Sequence, residues 1–424
     1  MPLRIRIVGL TSLNTPVPCR GSSRRPSGAV PASYEFMVDD EPLEPISLAK
    51  AETFVFRARI DAPLRTSFGT MYDRPSVLVR LEDKDGAYGW GEVWCNFPSV
   101  GAEHRARLIS DVLIPLLFEQ SSIQPTETLS FLTQKTHILT IQCGEPGPLA
   151  QAIAGLDIAI WDLIARKNGK PLYTLLSNNE VEKVPVYASG INPDESLKTV
   201  SDCRKEGYRA FKLKVGFGHE FDFANITRII EQLSTNETLM LDANQAWSLA
   251  EAKDFIGKIS DYPIEWLEEP LAADRPEAEW AELSWASPIP LAAGENIRGI
   301  EDFSNRISAG HITVIQPDVC KWGGVTGCLQ VARKAVKAGK RYCPHYLGGG
   351  IGLLASAHIL AAAGGDGLLE LDINPNPLRE GLAIPFPEFK NGHFLLPNSP
   401  GLGVEPDFEI VKKYLVANYV TASR

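Results

Sequence analysis

The sequence predicts an α/β chain built on a (β/α)7β TIM-like barrel, with a small α+β domain ahead of it. Spacing, length and local pattern carry this. Seven ionisable residues (Lys214, Asp242, Glu268, Glu295, Asp318, His345 and Glu370) recur at steps of 28, 26, 27, 23, 27 and 25 residues. Each ends a short apolar run, and after most of them a turn and a helix-like stretch follow. One strand, one helix and their loops need roughly 25–30 residues. The 424-residue length suits a barrel of about 200–250 residues plus a second domain. A ring of parallel strands would bring all seven side chains to one rim, where such barrels carry chemistry.

Residues 1–45 hold Arg4, Arg6, Arg20, Arg24 and Arg25 ahead of any acid, with several Ser and Pro. A transit peptide can have this composition, but the preferred reading is a loosely held extension. Ile7–Leu10 is too short for a secretory signal. Residues 46–147 read as α+β: a strand over Ser47–Arg59, a hairpin of Ser76–Leu81 and Ala87–Val93 across Asp83–Gly86, and helices over His104–Phe118 and Pro125–Ile138. Pro148–Arg166 is apolar on most faces and should be buried between layers. Eight strands follow, over Val184–Gly190, Arg209–Val215, Leu239–Asn244, Ile264–Glu269, Ile289–Glu295, Thr313–Asp318, Tyr342–Tyr346 and Leu368–Asp372. Seven helical stretches separate them, so the barrel spans 148–373. Asn374-Pro-Asn-Pro377 should not continue into a helix. The tail, 374–424, is expected to return to the first domain, with a last short helix near Phe408–Leu415.

Composition narrows the partners. Hydrophobic residues at 44% and charged residues at 22% describe a globular chain with ample core. The formal charge of −10, with no basic stripe, argues against nucleic acid. No apolar run is expected to reach the roughly 20 residues that cross a membrane. Seven cysteines, odd in number and without paired spacing, suggest reduced thiols and a cytoplasmic setting. Cys320, Cys328 and Cys343 read as small buried residues.

Asp242, Glu268 and Glu295 end the third, fourth and fifth barrel strands and are neighbours around the ring. Three adjacent carboxylates repel one another, and a dication would relieve that repulsion. All-oxygen ligands favour Mg2+ over zinc. Lys212 and Lys214, two apart in a strand, point the same way. Cations close together would disfavour protonation of one of them, so that Lys214 could act as a base with a pKa lowered toward about 7–8. Asp318 could fix the tautomer of His345 and leave Nε2 to move a proton. Lys214 and His345 would then face each other across the cavity. Glu370 could hydrogen-bond, as a neutral acid, to a developing oxyanion, or it could be an ion-paired rim group. Asn244 is a candidate ligand-orienting amide. These parts suit abstraction of a proton next to a carboxylate, with an enediolate held by Mg2+.

The chain resembles the mandelate racemase-like group of the enolase superfamily. The matching motifs are Lys212-Leu-Lys214, Asp242-Ala-Asn244, Glu268-Glu-Pro270, Gly294-Glu295-Asn296, Pro317-Asp318 through Gly324, His345, and the helix Gly155–Asp162. The resemblance implies a capping domain over the barrel mouth, Mg2+ on Asp242, Glu268 and Glu295, bases at Lys214 and the His345–Asp318 pair, a small-molecule carboxylate substrate and a homo-oligomer. Relatives with the His–Asp pair look like acid-sugar dehydratases. The expected reaction is therefore dehydration of a hydroxy or sugar acid to a 2-keto-3-deoxy acid, with racemisation or epimerisation as the alternative and a small-acid binding module as the non-catalytic one. Substrate choice would lie in the cap, in Phe68, Met71, Tyr72 and Arg74 and in Trp94, Asn96 and Phe97. These residues could equally be packing the cap on the barrel.

Overall fold

Alternating apolar residues run through β1 (Leu48–Arg65) and β2 (Thr70–Asp83), which pair antiparallel. They come from a computed structural model that describes residues 43–65, 69–178 and 181–422; the 1–42 part of the expected extension and Phe68 lie outside the described residues. β3 (Tyr88–Val93) returns along β2 through a turn that Asp83 closes, its Oδ1 accepting the N–H groups of Asp85 and Ala87 at 3.0 Å each. The helices of this domain are α1 (Gly101–Arg107), α2 (Ile114–Phe118) and α3 (Pro125–Cys143). The single helix expected over 104–118 is interrupted: Leu108–Leu113 widens into a π turn just ahead of Pro115, which has no N–H to continue the ladder.

Helix α4 (Pro146–Lys167) lies against β3. Gly89 and Gly91 permit the approach, since a Cβ at either would fall within 2.2 Å of the α4 backbone. By length and composition α4 could cross a bilayer, which corrects the expectation that no such run exists. It is nevertheless a core helix, with its apolar stretch 89% buried. The short α5 (Leu172–Leu176) follows.

Then β4 (Lys183–Ile191), α6 (Ser196–Glu206), β5 (Ala210–Lys214), α7 (His219–Ile230), β6 (Thr238–Asp242), α8 (Leu249–Ile259), β7 (Ile264–Glu268), α9 (Glu277–Ala286), β8 (Leu291–Ala293), α10 (Ile300–Ala309), β9 (Val314–Ile315), α11 (Gly324–Lys337), β10 (Arg341–Tyr342), α12 (Gly350–Ala363) and β11 (Leu369–Asp372) build the (β/α)7β barrel. Neighbours pair in parallel from β4 to β10, and β11 pairs with β4. The N–H of Leu368 donates to Cys343 Sγ at 3.4 Å, which brings the β10 and β11 sides together.

Inside the barrel, Tyr187, Ala210, Met240, Trp266, Ala292, Val314 and Cys343 form one buried apolar cluster. Side chains two residues further along a strand share its face. Two residues on from this floor stand Ser189, Lys212, Asp242, Glu268, Gln316 and His345. The polar layer is therefore stacked directly on an apolar one. The fifth strand departs from the rule, because Gly294 holds that position. A Cβ there would lie 2.3–2.6 Å from the Gln316 backbone, so the acid comes one residue later, as Glu295.

The tail differs from expectation twice. A short α13 (Pro377–Gly381) does form; Asn376 caps it through Leu378 N–H at 3.1 Å, and proline suits the first turn. β12 (Phe389–Lys390) then pairs antiparallel with β13 (His393–Leu395), and β13 pairs antiparallel with β4. The last helix, α14 (Phe408–Val411), is brief, and β14 (Leu415–Ala422) pairs antiparallel with β1.

Candidate active site

Parallel register places Lys214 opposite Asp242 and Asp242 opposite Glu268. Lys214 Nζ lies 2.6 Å from Asp242 Oδ2 and 2.7 Å from Asn244 Oδ1. Lys212 Nζ lies 2.8 Å from Glu268 Oε2, 2.7 Å from Glu370 Oε1 and 3.7 Å from Asp242 Oδ2. His345 Nδ1 stands 2.8 Å from Asp318 Oδ2, and its Nε2 stands 2.5 Å from Glu295 Oε2. Asp318 Oδ1 also accepts the N–H groups of Cys320 and Lys321 at 2.8 and 3.1 Å, which holds the orienting carboxylate rigid. Asn244 and Glu269, at the ends of the third and fourth strands, sit at positive φ of 44° and 40°. Such backbone is costly for non-glycine residues and is concentrated at functional sites.

Burial and charge pull these groups in opposite directions. Burial pushes the Glu268 carboxyl up to about 7 against the pull of Lys212. Burial and the Glu295 charge push Glu269 well above the usual carboxylate range. Burial would also raise Glu295, but His345 and Lys321 hold it well below its ordinary value. His345, although buried, is held well above an ordinary imidazole by Glu295, Glu370 and Asp318.

Two expectations are corrected here. Burial is the largest influence on Lys214 and lowers its pKa, as expected of a base, but the charge and hydrogen bond of Asp242 with the charge of Glu268 together turn the net shift upward. The neighbouring Lys212 favours a neutral amine, but Asp242, directly across the strand pair, acts the other way. Burial works to neutralise Glu370, yet Lys212 and His345 draw it down to about 2. It is therefore an ionised acceptor for Lys212, Ser189 Oγ and Tyr346 N–H, not a neutral donor.

Among the cap candidates, Trp94 reaches the rim: Lys321 Nζ sits 4.7 Å from its ring centre. Asn96 is buried and donates to Leu347 O at 2.8 Å, in the loop after His345. Tyr72 is 70% exposed, with no hydrogen bond or ring contact to the strand-end groups. Met71 and Arg74 are buried. The thiols of Cys320, Cys328 and Cys343 are buried, and burial holds them in the neutral form. Sequence reasoning missed four residues. Gln316 donates to Glu268 at 2.7 Å, Ser189 donates to Glu370, and Asn296 bridges Glu269 and Glu295 at 2.9 and 2.8 Å. The fourth is Glu92, a cap carboxylate buried against the loop after His345. Phase with the apolar floor would have found the first two.

The residues fit a divalent metal in donor chemistry and in charge. Six carboxylates (Asp242, Glu268, Glu269, Glu295, Asp318 and Glu370) share these strand ends with three ammonium groups (Lys212, Lys214 and Lys321) and one imidazole. With all six ionised and His345 protonated, two negative charges would be uncompensated; burial instead holds Glu269, and in part Glu268, protonated, and a dication would let them ionise. Among the described residues no three acids close into a ready cage; Lys212, Lys214 and His345 stand between their oxygens.

Comparison with known proteins agrees with this fold. Residues 50–177 match the mandelate racemase/muconate lactonizing enzyme N-terminal domain, and residues 195–410 match the enolase C-terminal domain-like family. The D-galactarolactone cycloisomerase of Agrobacterium fabrum is 30% identical over 85% of this chain and 96% of its own. The arabinonate dehydratase of Saccharolobus solfataricus is 28% identical over 77% and 87%. A solved mandelate racemase/muconate lactonizing enzyme from Bordetella bronchiseptica superposes with a TM-score of 0.82 at 50% identity, covering 88% of this chain and all of the other. The chain belongs to the enolase superfamily, in its mandelate racemase/muconate lactonizing group. It is an enzyme of that superfamily, whose relatives act on small-molecule acids.

Proposed function

We propose that this enzyme removes the proton α to a carboxylate and expels the β-hydroxyl, dehydrating a hydroxy or sugar acid to its 2-keto-3-deoxy product. The observation that carries this reading is His345, bonded through Nδ1 to Asp318 and sharing Glu295 with Lys214 as a charge neighbour. An acid/base group thus stands on each side of one buried acidic cluster. Asp242, Glu268 and Glu295 would hold Mg2+, which supplies charge stabilisation of the substrate carboxylate as the α-proton leaves. Lys214 would first release its own proton to solvent, which becomes easier once Asp242 is drawn away from it, and the neutral amine would then accept the α-proton at Nζ. Lys212 stays charged between Glu268 and Glu370 and faces the substrate carboxylate. His345 carries a proton on Nε2, favoured by its acidic neighbours, and donates it to the departing hydroxyl, which leaves as water. Asp318 keeps the ring oriented and its Nδ1 protonated. Asn244 orients Lys214.

The test is a library of hydroxy acids incubated with enzyme and Mg2+ in D2O. A 2-keto-3-deoxy product supports dehydration. Deuterium at an inverted α-carbon, with no dehydration, would move the reading to a racemase. Neither turnover nor exchange across the library would reduce the chain to a binding module.

A further inference from the structure

Arg74 reaches from β2 of the cap to the barrel, where its guanidinium pairs with Asp372 at the end of β11. Both side chains are buried, 3% and 7% exposed. Asp372 Oδ1 is already taken by the N–H and the amide of Asn374, at 3.0 and 2.7 Å, so Oδ2 is left to Arg74. Arg74 Nε is inaccessible and has no hydrogen-bond partner. A buried N–H left unmet is costly, and a small shift of the Arg74 side chain toward a ligand acceptor would recover it.

The position of the pair follows from phase. Asp372 lies two residues past Glu370 on the same strand and shares its face, nearer the barrel mouth. Two residues of strand rise about 6.6 Å. Glu370 holds Lys212, which on the functional reading above faces the substrate carboxylate. A group at Arg74–Asp372 therefore meets the other end of an extended chain of about five or six carbons.

We infer that the Arg74–Asp372 pair reads the end of the substrate remote from the reacting carboxylate and selects polyhydroxy monoacids over diacids. The inference rests on the proposed dehydration of a hydroxy acid. The pair is net neutral, with an N–H donor unmet and carboxylate oxygens beside it, a combination suited to hydroxyl groups that both donate and accept. A second carboxylate would find Arg74 already neutralised and Asp372 repelling it, while Arg379, which donates to the Asp372 and Asn374 carbonyls, is itself ion-paired with Glu380.

The test measures kcat/KM of the full-length chain with Mg2+ for matched sugar monoacids and diacids of five and six carbons. Wild type should prefer the monoacid at least tenfold. Asp372→Asn leaves Arg74 unpaired and should lower the monoacid-to-diacid ratio at least tenfold. Arg74→Lys, which drops the Nε–H, should lower monoacid kcat/KM while the diacid changes little. A ratio compares two substrates on one protein, so a partial loss of folded enzyme cancels. Equal use of both classes by wild type, or an unchanged ratio in both variants, overturns this inference alone. No turnover of either class overturns the functional reading and this inference with it.

Discussion

Glu92 ties the cap to the loop that carries His345, and replacing it with glutamine should loosen both. Its Oε1 accepts Ser76 Oγ at 2.9 Å and Gly349 N–H at 2.6 Å; its Oε2 accepts Gly352 N–H at 2.9 Å and lies 3.0 Å from Tyr346 Oη. Tyr346 Oη is also 2.6 Å from Gly349 O. One hydroxyl proton cannot serve two acceptors. A proton on Glu92 resolves the conflict, and burial favours it by pushing this carboxyl above its ordinary value. In Glu92→Gln the NH2 must take one of the two oxygen positions. Either way it faces a backbone N–H of the first turn of α12, Gly349 or Gly352, that then has no acceptor. That costs about 1–3 kcal/mol and should lower the melting temperature by about 2–6 °C. Tyr346 directly follows His345, so the imidazole shifts too, and kcat should fall between about tenfold and a hundredfold. Thermal melting and steady-state kinetics on the preferred acid check both parts. A glutamine variant with wild-type melting and wild-type kcat would refute the clamp.

Lys214→Ala and His345→Asn should each lower turnover by at least about a hundredfold while titration calorimetry still detects Mg2+ binding; near-normal activity in either removes that residue from the proposed chemistry. His358 is buried in α12 with Nδ1 accepting Tyr173 N–H at 3.1 Å and Nε2 facing Leu402 O at 3.3 Å, and burial draws it from 6.5 down to about 4. Its folded pKa is depressed, so its stabilising share is full above pH 6.5 and is lost as pH falls toward 4, about 3 kcal/mol in all. Urea unfolding of His358→Gln should lose that part of the acid slope, and an identical slope would count against it. Asp157 caps the first turn of α11 through Thr326 N–H and Oγ1 at 2.9 and 2.7 Å, yet burial pushes its carboxyl from 3.8 to about 7. Its folded pKa is raised, so its share is full below pH 3.8 and is lost as pH rises through 7, about 4 kcal/mol. Asp157→Asn should narrow the stability difference between pH 4 and pH 7, and denaturant curves at the two pH values measure it.

Much of the fold was legible because a barrel strand repeats a simple rule. An apolar inward residue is followed two positions later by a polar one, as in Met240 and Asp242 or Trp266 and Glu268, and that phase survives in the sequence. Glu295 obscured it, since Gly294 shifts the acid off the strand and only the contact with the Gln316 backbone explains why. The strand Leu415–Ala422, which begins where the expected Phe408–Leu415 helix ends, is not legible in the sequence because a lone alternating segment has no partner there. Its alternate residues are half-exposed, as on a sheet edge, and only β1 fixes it as a strand. In the sequence alone Pro377 reads as a stop, although proline is equally at home in the first turn of a helix.

The site was legible in its identities and not in its protonation, and the reason is physical. Composition counts charges but does not say which of them touch. Lys212 and Lys214 are a repelling pair in sequence, yet each meets an acid from another strand, and at 2.6–2.8 Å a carboxylate outweighs a second ammonium. The same reasoning governs Arg74, which as an isolated residue would suggest a second carboxylate on the substrate. Its partner Asp372, 298 residues away in the chain, cancels that attraction and leaves a hydrogen-bonding surface in its place. If the inferred role of this pair holds, substrate class depends on a pairing between cap and barrel, so exchanging Asp372 should change what is bound more sharply than exchanging an exposed aromatic of the cap such as Tyr72.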